Sequence, residues 1–298
     1  MNDFHTPVLL KEVIGLLQVK RGKNYIDATI GGGGHTEAIL SLGGKVLGID
    51  IDQDALDYVQ KNLELRIKNQ ELVLEKGNFR DLEKIAHSKN FDSVAGILFD
   101  LGISSHQINT PERGFSFLKE GSLDMRMDKK SSVTAEVLVN LLGKGELYDL
   151  FSKLGQEHRA WAISNGIIRA RRVKAIQTTT DLARIVAESY GLKGEISDFK
   201  KNQINQKIFQ ALRIAVNNEL ENIQVALPQA LKLLERGGKV AVISFHSLED
   251  GIVKRVFKNF EQKKMGKMIT EKPIEADMDE IRKNPRSKSA KLRVFQKN

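Results

Sequence analysis

A short apolar run, Tyr25-Ile26-Asp27-Ala28-Thr29, breaks into four consecutive glycines, Gly31 to Gly34. Helical sequence follows at once, from Thr36 to Leu42, and Gly43-Gly44 stops it. Few folds tolerate this order. A glycine turn between a buried strand and a helix brings backbone close to a ligand and allows positive φ. The helix start adds unsatisfied N–H groups. A second apolar strand, Val46-Leu47-Gly48-Ile49-Asp50, comes next. Asp54 to Lys68 then carries Ala55, Val59, Leu63 and Ile67 at helical spacing. Leu72 to Glu75 is a third strand candidate, and Val94 to Leu101, containing Asp100, is a fourth. Strands alternating with helices predict a parallel sheet covered by helices.

From about Gln107 to Gln206 the pattern becomes helical, with turn signals at Pro111, Gly121 and Gly143 to Gly145 and no convincing buried strand. A long helical run, Lys207 to Glu235, follows, with a break expected near Pro228. Gly237-Gly238 ends it, and Val240 to Phe245 is strand-like again. The expected fold class is therefore α/β, a Rossmann-like sheet with an inserted all-helical domain. The expected divisions are 1–106 and 207–298 for the two parts of the sheet domain and 107–206 for the insert. Loops at the carboxyl ends of parallel strands carry active sites, so an insert there lies at the substrate entrance.

The glycine loop and Asp50 together indicate a nucleoside-containing cofactor, because a carboxylate ending the second strand can accept both hydroxyls of an adenosine ribose. A dinucleotide and S-adenosylmethionine both contain that ribose. The dinucleotide fingerprint needs spaced glycines, G-x-G-x-x-G. Here they are consecutive, and Thr36 holds the last fingerprint position. The pattern suits S-adenosylmethionine, with the loop facing its methionine portion. Phe79, in Gly77-Asn78-Phe79, follows the third strand and is either a cover for adenine or a core residue.

Asp100-Leu101-Gly102-Ile103-Ser104-Ser105-His106-Gln107 follows the fourth strand, where a methyl acceptor would bind. An amine on a nucleobase is a poor nucleophile, since its lone pair is delocalised into the ring. An acceptor for its N–H localises that pair. Asp100 is the candidate, and holding the cofactor's ammonium group is an equally compatible role. Alignment of nucleophile and methyl can supply most of the rate. Ser104 and Ser105 are substrate-binding candidates beside it. Arg113-Gly114-Phe115-Ser116-Phe117 and Leu123-Asp124-Met125-Arg126-Met127-Asp128 place cations beside aromatic and apolar residues on irregular backbone. Arg113 and Phe115 are candidates to hold an unpaired base, by phosphate contact and stacking. The alternative is a plug that anchors the insert. His246 and Ser247, after the late strand, are candidates on the same rim as Asp100.

Composition narrows the partners. The formal net charge is +9 with 47 Lys and Arg against 38 Asp and Glu, which favours an acidic partner such as nucleic acid. There are no cysteines, so disulfides, thiolate metal sites and a Cys nucleophile are excluded. The six histidines are not paired at ligand spacing, and no metal is expected. No apolar stretch approaches the roughly 20 residues of a membrane span. Lys11 and Glu12 interrupt the apolar N-terminal residues, which argues against a signal peptide. A cytoplasmic location is expected. The cation-rich run Arg282 to Arg293 is either a solvated face or a phosphate track.

These segments together closely resemble the bacterial family of 16S ribosomal RNA cytosine-N4 methyltransferases. The matching residues run in family order. They are His5 to Leu10, Gly31 to His35, Asp50, Asp100 to Gln107, Arg113 to Phe117, Leu123 to Asp128, Phe209 to Ile214, Ile243 to Asp250, and Asn284 to Arg293. The resemblance implies S-adenosylmethionine as cofactor and N4 of a decoding-centre cytidine of 16S rRNA, within the small ribosomal subunit, as target. It places cofactor contacts on Gly33, Gly34, His35, Asp50, Phe79, Asp100 and Gln107. The sequence departs from the family pattern at Gln203 to Ile208 and at Gly251, outside the cofactor residues. A nicotinamide-dependent enzyme is disfavoured by the loop pattern, and two further alternatives stand beside the methyltransferase reading. One is a methyltransferase of this fold acting on another RNA, and the other is an S-adenosylmethionine-binding ribosome-assembly factor without catalysis.

Overall fold

The computed structural model describes residues 7–190 and 198–298, with backbone alone for 198–201. His5 and Thr6 of the resemblance lie outside the described residues. The chain divides into two compact units, residues 1–104 with 220–298, and residues 105–219.

The first unit is built on one seven-stranded sheet of order β3-β2-β1-β4-β5-β7-β6. Its strands are β1 (Asn24–Asp27), β2 (Lys45–Asp50), β3 (Leu72–Lys76), β4 (Val94–Asp100), β5 (Leu234–Ser244), β6 (Gly266–Met268) and β7 (Lys291–Lys297). The five strands read from sequence pair in parallel, β3 to β2 to β1 to β4 to β5. The last two are antiparallel, β7 against β5 and β6 against β7. They are absent from the sequence reading because their apolar residues are few and interleaved with cations. Leu292, Val294 and Phe295 are buried all the same.

Successive strand residues serve opposite faces of the sheet. Ile97, Phe99, Val240, Val242 and Phe295 pack in one core with Ile223, Leu227, Val253 and Phe257 from helices. Leu98, Ala241, Ile243, Leu292 and Val294 pack in the other with Val8, Leu17, Ile39 and Val59. A sheet buried on both faces is why its strands read as continuous apolar runs.

β1 lies between β2 and β4, so the chain leaves β1 to one side and returns to the other. Ligands bind at such a switch point, outside the carboxyl ends of the strands. The expected helix Asp54 to Lys68 is two helices, Gln53–Asn62 and Glu64–Lys68, joined at Leu63.

In the second unit the principal helices are Ala135–Leu141, Lys144–Asp149, Ala160–Arg171, Thr179–Ser189 and Asp198–Asn217. Val139, Leu147, Phe151, Ile163, Ile167, Leu182, Val186, Ile208 and Leu212 are buried in it. The second boundary differs from the expected 206/207. The helix Asp198–Asn217 stays whole within the helical unit, because Ile208 and Leu212 belong to its core. The expected break near Pro228 is also displaced. The chain breaks at Asn218, which adopts φ 50, and Pro228 sits inside the next helix, Glu219–Leu233. Asparagine enters left-handed backbone readily, which offers a helix end that proline at position 228 does not impose.

Candidate active site

Three neighbouring parallel strands, β2, β1 and β4, each end in an aspartate: Asp50, Asp27 and Asp100. All three engage the segment 27–36. Asp27 is buried at the base of the loop, with Oδ2 accepting from Thr36 Oγ1 at 2.7 Å and Oδ1 from the Thr29 amide at 3.3 Å. Asp50 accepts from the Gly31 amide at 2.9 Å through Oδ2 and from the Asp52 amide at 2.9 Å through Oδ1. The Asp100 amide donates to Thr29 Oγ1 at 2.6 Å. Thr29 thus ties the glycine loop to the end of β4.

Burial dominates the electrostatics. It pushes the Asp27 carboxyl up to about 7, against the hydrogen bonds from Thr36 and Thr29 and with the charges of Asp100 and Asp50 adding to the rise. Desolvation likewise pushes Asp50 up to about 6, opposed by the amides of Asp52 and Gly31. Asp27 is the residue that sequence reading missed as a site member. Its type and place were visible, but a strand-end aspartate by itself does not mark a site. The signal was Thr36, in the position where the dinucleotide pattern expects glycine.

The loop itself makes room. Gly31 and Gly33 adopt φ 50 and 78, backbone that side chains rarely take. A Cβ on Gly34 would meet Pro7 Cγ at 2.9 Å, so this helix start must be glycine to pack under the N-terminal segment. His35 is buried, with Nε2 3.0 Å from the Val8 carbonyl and Nδ1 3.6 Å from Asp100 Oδ2. Gly33, Gly34, His35, Asp50 and Asp100 therefore gather at the switch point.

Phe79 lies in the turn after β3, half-buried and edge-on to Phe99 with ring centroids 5.7 Å apart. It joins core packing and the strand-end rim. Ser104 ends the first stretch of this unit. His246 caps the helix Ser247–Gln262, its Nδ1 3.5 Å from the Glu249 amide, and its Nε2 lies 3.2 Å from Glu249 Oε1. Glu249 in turn accepts from the Phe245 amide at 2.8 Å. His246 and Ser247 thus build a helix start.

The remaining candidates belong to the helical unit. Ser105 opens the helix Ser105–Asn109, and Gln107 is buried within it. Arg113 and Phe115, expected as base-holding residues, are buried. Arg113 Nη2 donates to the carbonyls of Arg126 and Met127, both at 3.1 Å, and its guanidinium lies 5.9 Å from the Phe115 ring centroid. Arg126 closes on Asp124 at 2.7 Å, and Asn217 holds both Met125 and Met127 backbone at 2.8 Å. The cation-and-aromatic pattern at 113–128 is an internal knot, which corrects the phosphate-contact expectation for Arg113. Phe117 packs on Phe209 with centroids 5.3 Å apart. The C-terminal cations are corrected in part. Arg293 is buried against Asp250, at 2.6 Å, and burial lowers Arg286.

The pattern of three carboxyls around an open glycine loop discriminates between the two cofactors. A pyrophosphate there would push these carboxyls further toward the neutral form, whereas a ligand with a sulfonium and an ammonium would favour their charged form. Comparison with known proteins agrees. Residues 2–298 match the model of the MraW methylase family. The chain belongs to the MraW methylase family. A ribosomal RNA small subunit methyltransferase H of Coprothermobacter proteolyticus is 43% identical over 98% of this chain and 96% of its own. Proteins of the same name from Persephonella marina and Halothermothrix orenii are 43% and 41% identical, with at least 97% of each chain covered. Family membership extends from end to end, so the helical unit is part of the family's chain as much as the sheet is.

Proposed function

We propose that this chain transfers the methyl group of S-adenosylmethionine to N4 of a cytidine in the decoding centre of 16S rRNA, with the cofactor at the carboxyl ends of β2, β1 and β4. The convergence of Asp50, Asp27 and Asp100 on the glycine loop carries this reading. When bound, S-adenosylmethionine supplies a methyl carbon made electrophilic by its positively charged sulfur.

Asp50 Oδ2 accepts from the Gly31 amide and Oδ1 from the Asp52 amide, and the carboxylate keeps acceptor capacity for ribose hydroxyls. The backbone N–H bonds fix the carboxylate before the ligand arrives. Phe79 offers a half-buried ring edge-braced by Phe99 against which adenine can rest. Gly33 and Gly34 admit the ligand closely, and His35 braces the Asp100 side of the loop.

Asp100 accepts a hydrogen bond from the exocyclic amine and localises the nitrogen lone pair toward the methyl carbon. Held beside that amine, S-adenosylmethionine would give its methyl carbon to N4, with the carbon–sulfur electron pair left on sulfur. The added positive charge on N4 is relieved by loss of its proton to the Asp100 carboxylate and then to water. Alignment and a fixed negative charge beside the amine are the two sources of rate.

The test is transfer of labelled methyl to small subunits that lack methylation at the decoding site, with the product nucleoside identified by mass spectrometry. N4-methylcytidine is the expected product. Label at any other atom, or no transfer with the cofactor still bound, overturns the reading.

A further inference from the structure

The chain's one tryptophan, Trp161, stands on the outside of the helical unit with about half of its surface exposed. It lies in the first turn of the helix Ala160–Arg171, and Lys144 Nζ lies 4.0 Å from its ring centroid. Tyr148, also exposed, meets it edge-on with centroids 5.7 Å apart. The helix continues this face at i+4, i+8 and i+11 with Asn165, Arg169 and Arg172. Arg169 and Arg172 are exposed, whereas Arg171, on another face, turns inward to the carbonyls of Val139 and Leu142 at 2.7 Å. One helix face thus presents a braced indole at one end and two arginines about 12 and 16 Å along the axis, at 1.5 Å per residue.

We propose that this face binds an unpaired stretch of the ribosomal RNA, with a base stacked on Trp161 and the following phosphates on Arg169 and Arg172. The proposal rests on the RNA substrate given above. An exposed indole alone has a bland explanation, but aromatic rings interleaved with cations on one surface form the pattern that holds single strands. Tyr148 fixes the ring's orientation. Lys144 is exposed at the rim, so a base can take its place over the ring while its ammonium moves to a phosphate. The backbone-tracking cations suit an acidic polymer in a chain whose formal charge is +9. A docked protein is the competing occupant, and it would leave RNA affinity independent of Trp161.

The single tryptophan makes the test direct. Titration of the full chain with a hexaadenylate RNA should quench the Trp161 fluorescence saturably, with an affinity that falls with salt. Trp161→Ala should raise KM for unmethylated small subunits on the order of tenfold, the scale of one lost base stack, with kcat and S-adenosylmethionine affinity unchanged. Trp161→Phe should restore KM to within about threefold. Arg169→Ala with Arg172→Ala should reduce the salt slope of binding by about 1.4, at roughly 0.7 for each single-strand phosphate contact. Absence of quenching together with a wild-type KM for Trp161→Ala overturns the proposal. Failure of methyl transfer by the wild type strikes the functional reading instead, and the fluorescence titration still decides this one.

Discussion

In the α/β unit, Asp27, Asp50 and Asp100 end three adjacent strands and gather at one glycine loop. In the helical unit, Arg113, Arg126 and Arg171 turn inward onto backbone carbonyls and Asp124. The first arrangement concentrates like charge where it costs stability: burial lifts the carboxyls of Asp27 and Asp50, and neighbouring carboxylates add to the rise. The second pairs Arg126 with Asp124 and gives Arg113 and Arg171 backbone carbonyls to bond. Buried carboxyls at strand ends are poised for a ligand that favours their charged form, while guanidinium groups already bonded to carbonyls hold a loop. Charged residues grouped in sequence therefore do not by themselves mark a site; the partners they already have decide it.

Substitutions can break this contrast. Asp100→Asn should give the largest effect, lowering kcat by about a hundredfold or more with S-adenosylmethionine affinity nearly intact. Single-turnover methyl transfer alongside calorimetry checks it, and equal losses in both would make Asp100 a cofactor ligand instead. Arg113→Ala should cost about 2 kcal/mol of stability in the helical unit, read by denaturant unfolding, and leave cofactor affinity unchanged. A lost RNA affinity with unchanged stability would reverse its assignment.

A further effect concerns pH. The folded protein keeps a proton on Asp27 up to about 7, whereas the unfolded chain releases it near 3.8. Between those values the native state binds more protons, so stability falls as pH rises through the window. Asp27→Asn removes that proton exchange and should flatten the fall. A pH dependence identical to wild type would show that Asp27 is ionised throughout.

Much of the α/β unit was legible because its strands are buried on both faces and read as apolar runs punctuated by glycine. Asp50 and Asp100 stood out for the same reason, as charges closing apolar strands. Asp27 did not, since its meaning depends on Thr36 folding back over it and on the spatial adjacency of three strand ends. β7 was hidden under its cations: Lys291 and Lys297 flank a core strand, and Arg293 is satisfied by Asp250, far away in sequence. In the helical unit, Arg113 and Phe115 carried the residue types of base recognition, yet their partners at 126 and 127 could be known only from the closed loop. Sequence reports residue type and period, and it is silent on which hydrogen-bond donors are already spent.

The central claim is that the Asp50 carboxylate, at the carboxyl end of β2, holds the ribose of the cofactor, and its removal tests this most directly. Isothermal calorimetry of S-adenosylmethionine binding to the wild type and to Asp50→Ala should show at least a tenfold weaker affinity in the variant, the scale of a lost hydrogen bond to a charged group. An unchanged affinity in a folded Asp50→Ala protein would place the ribose elsewhere and contradict the account.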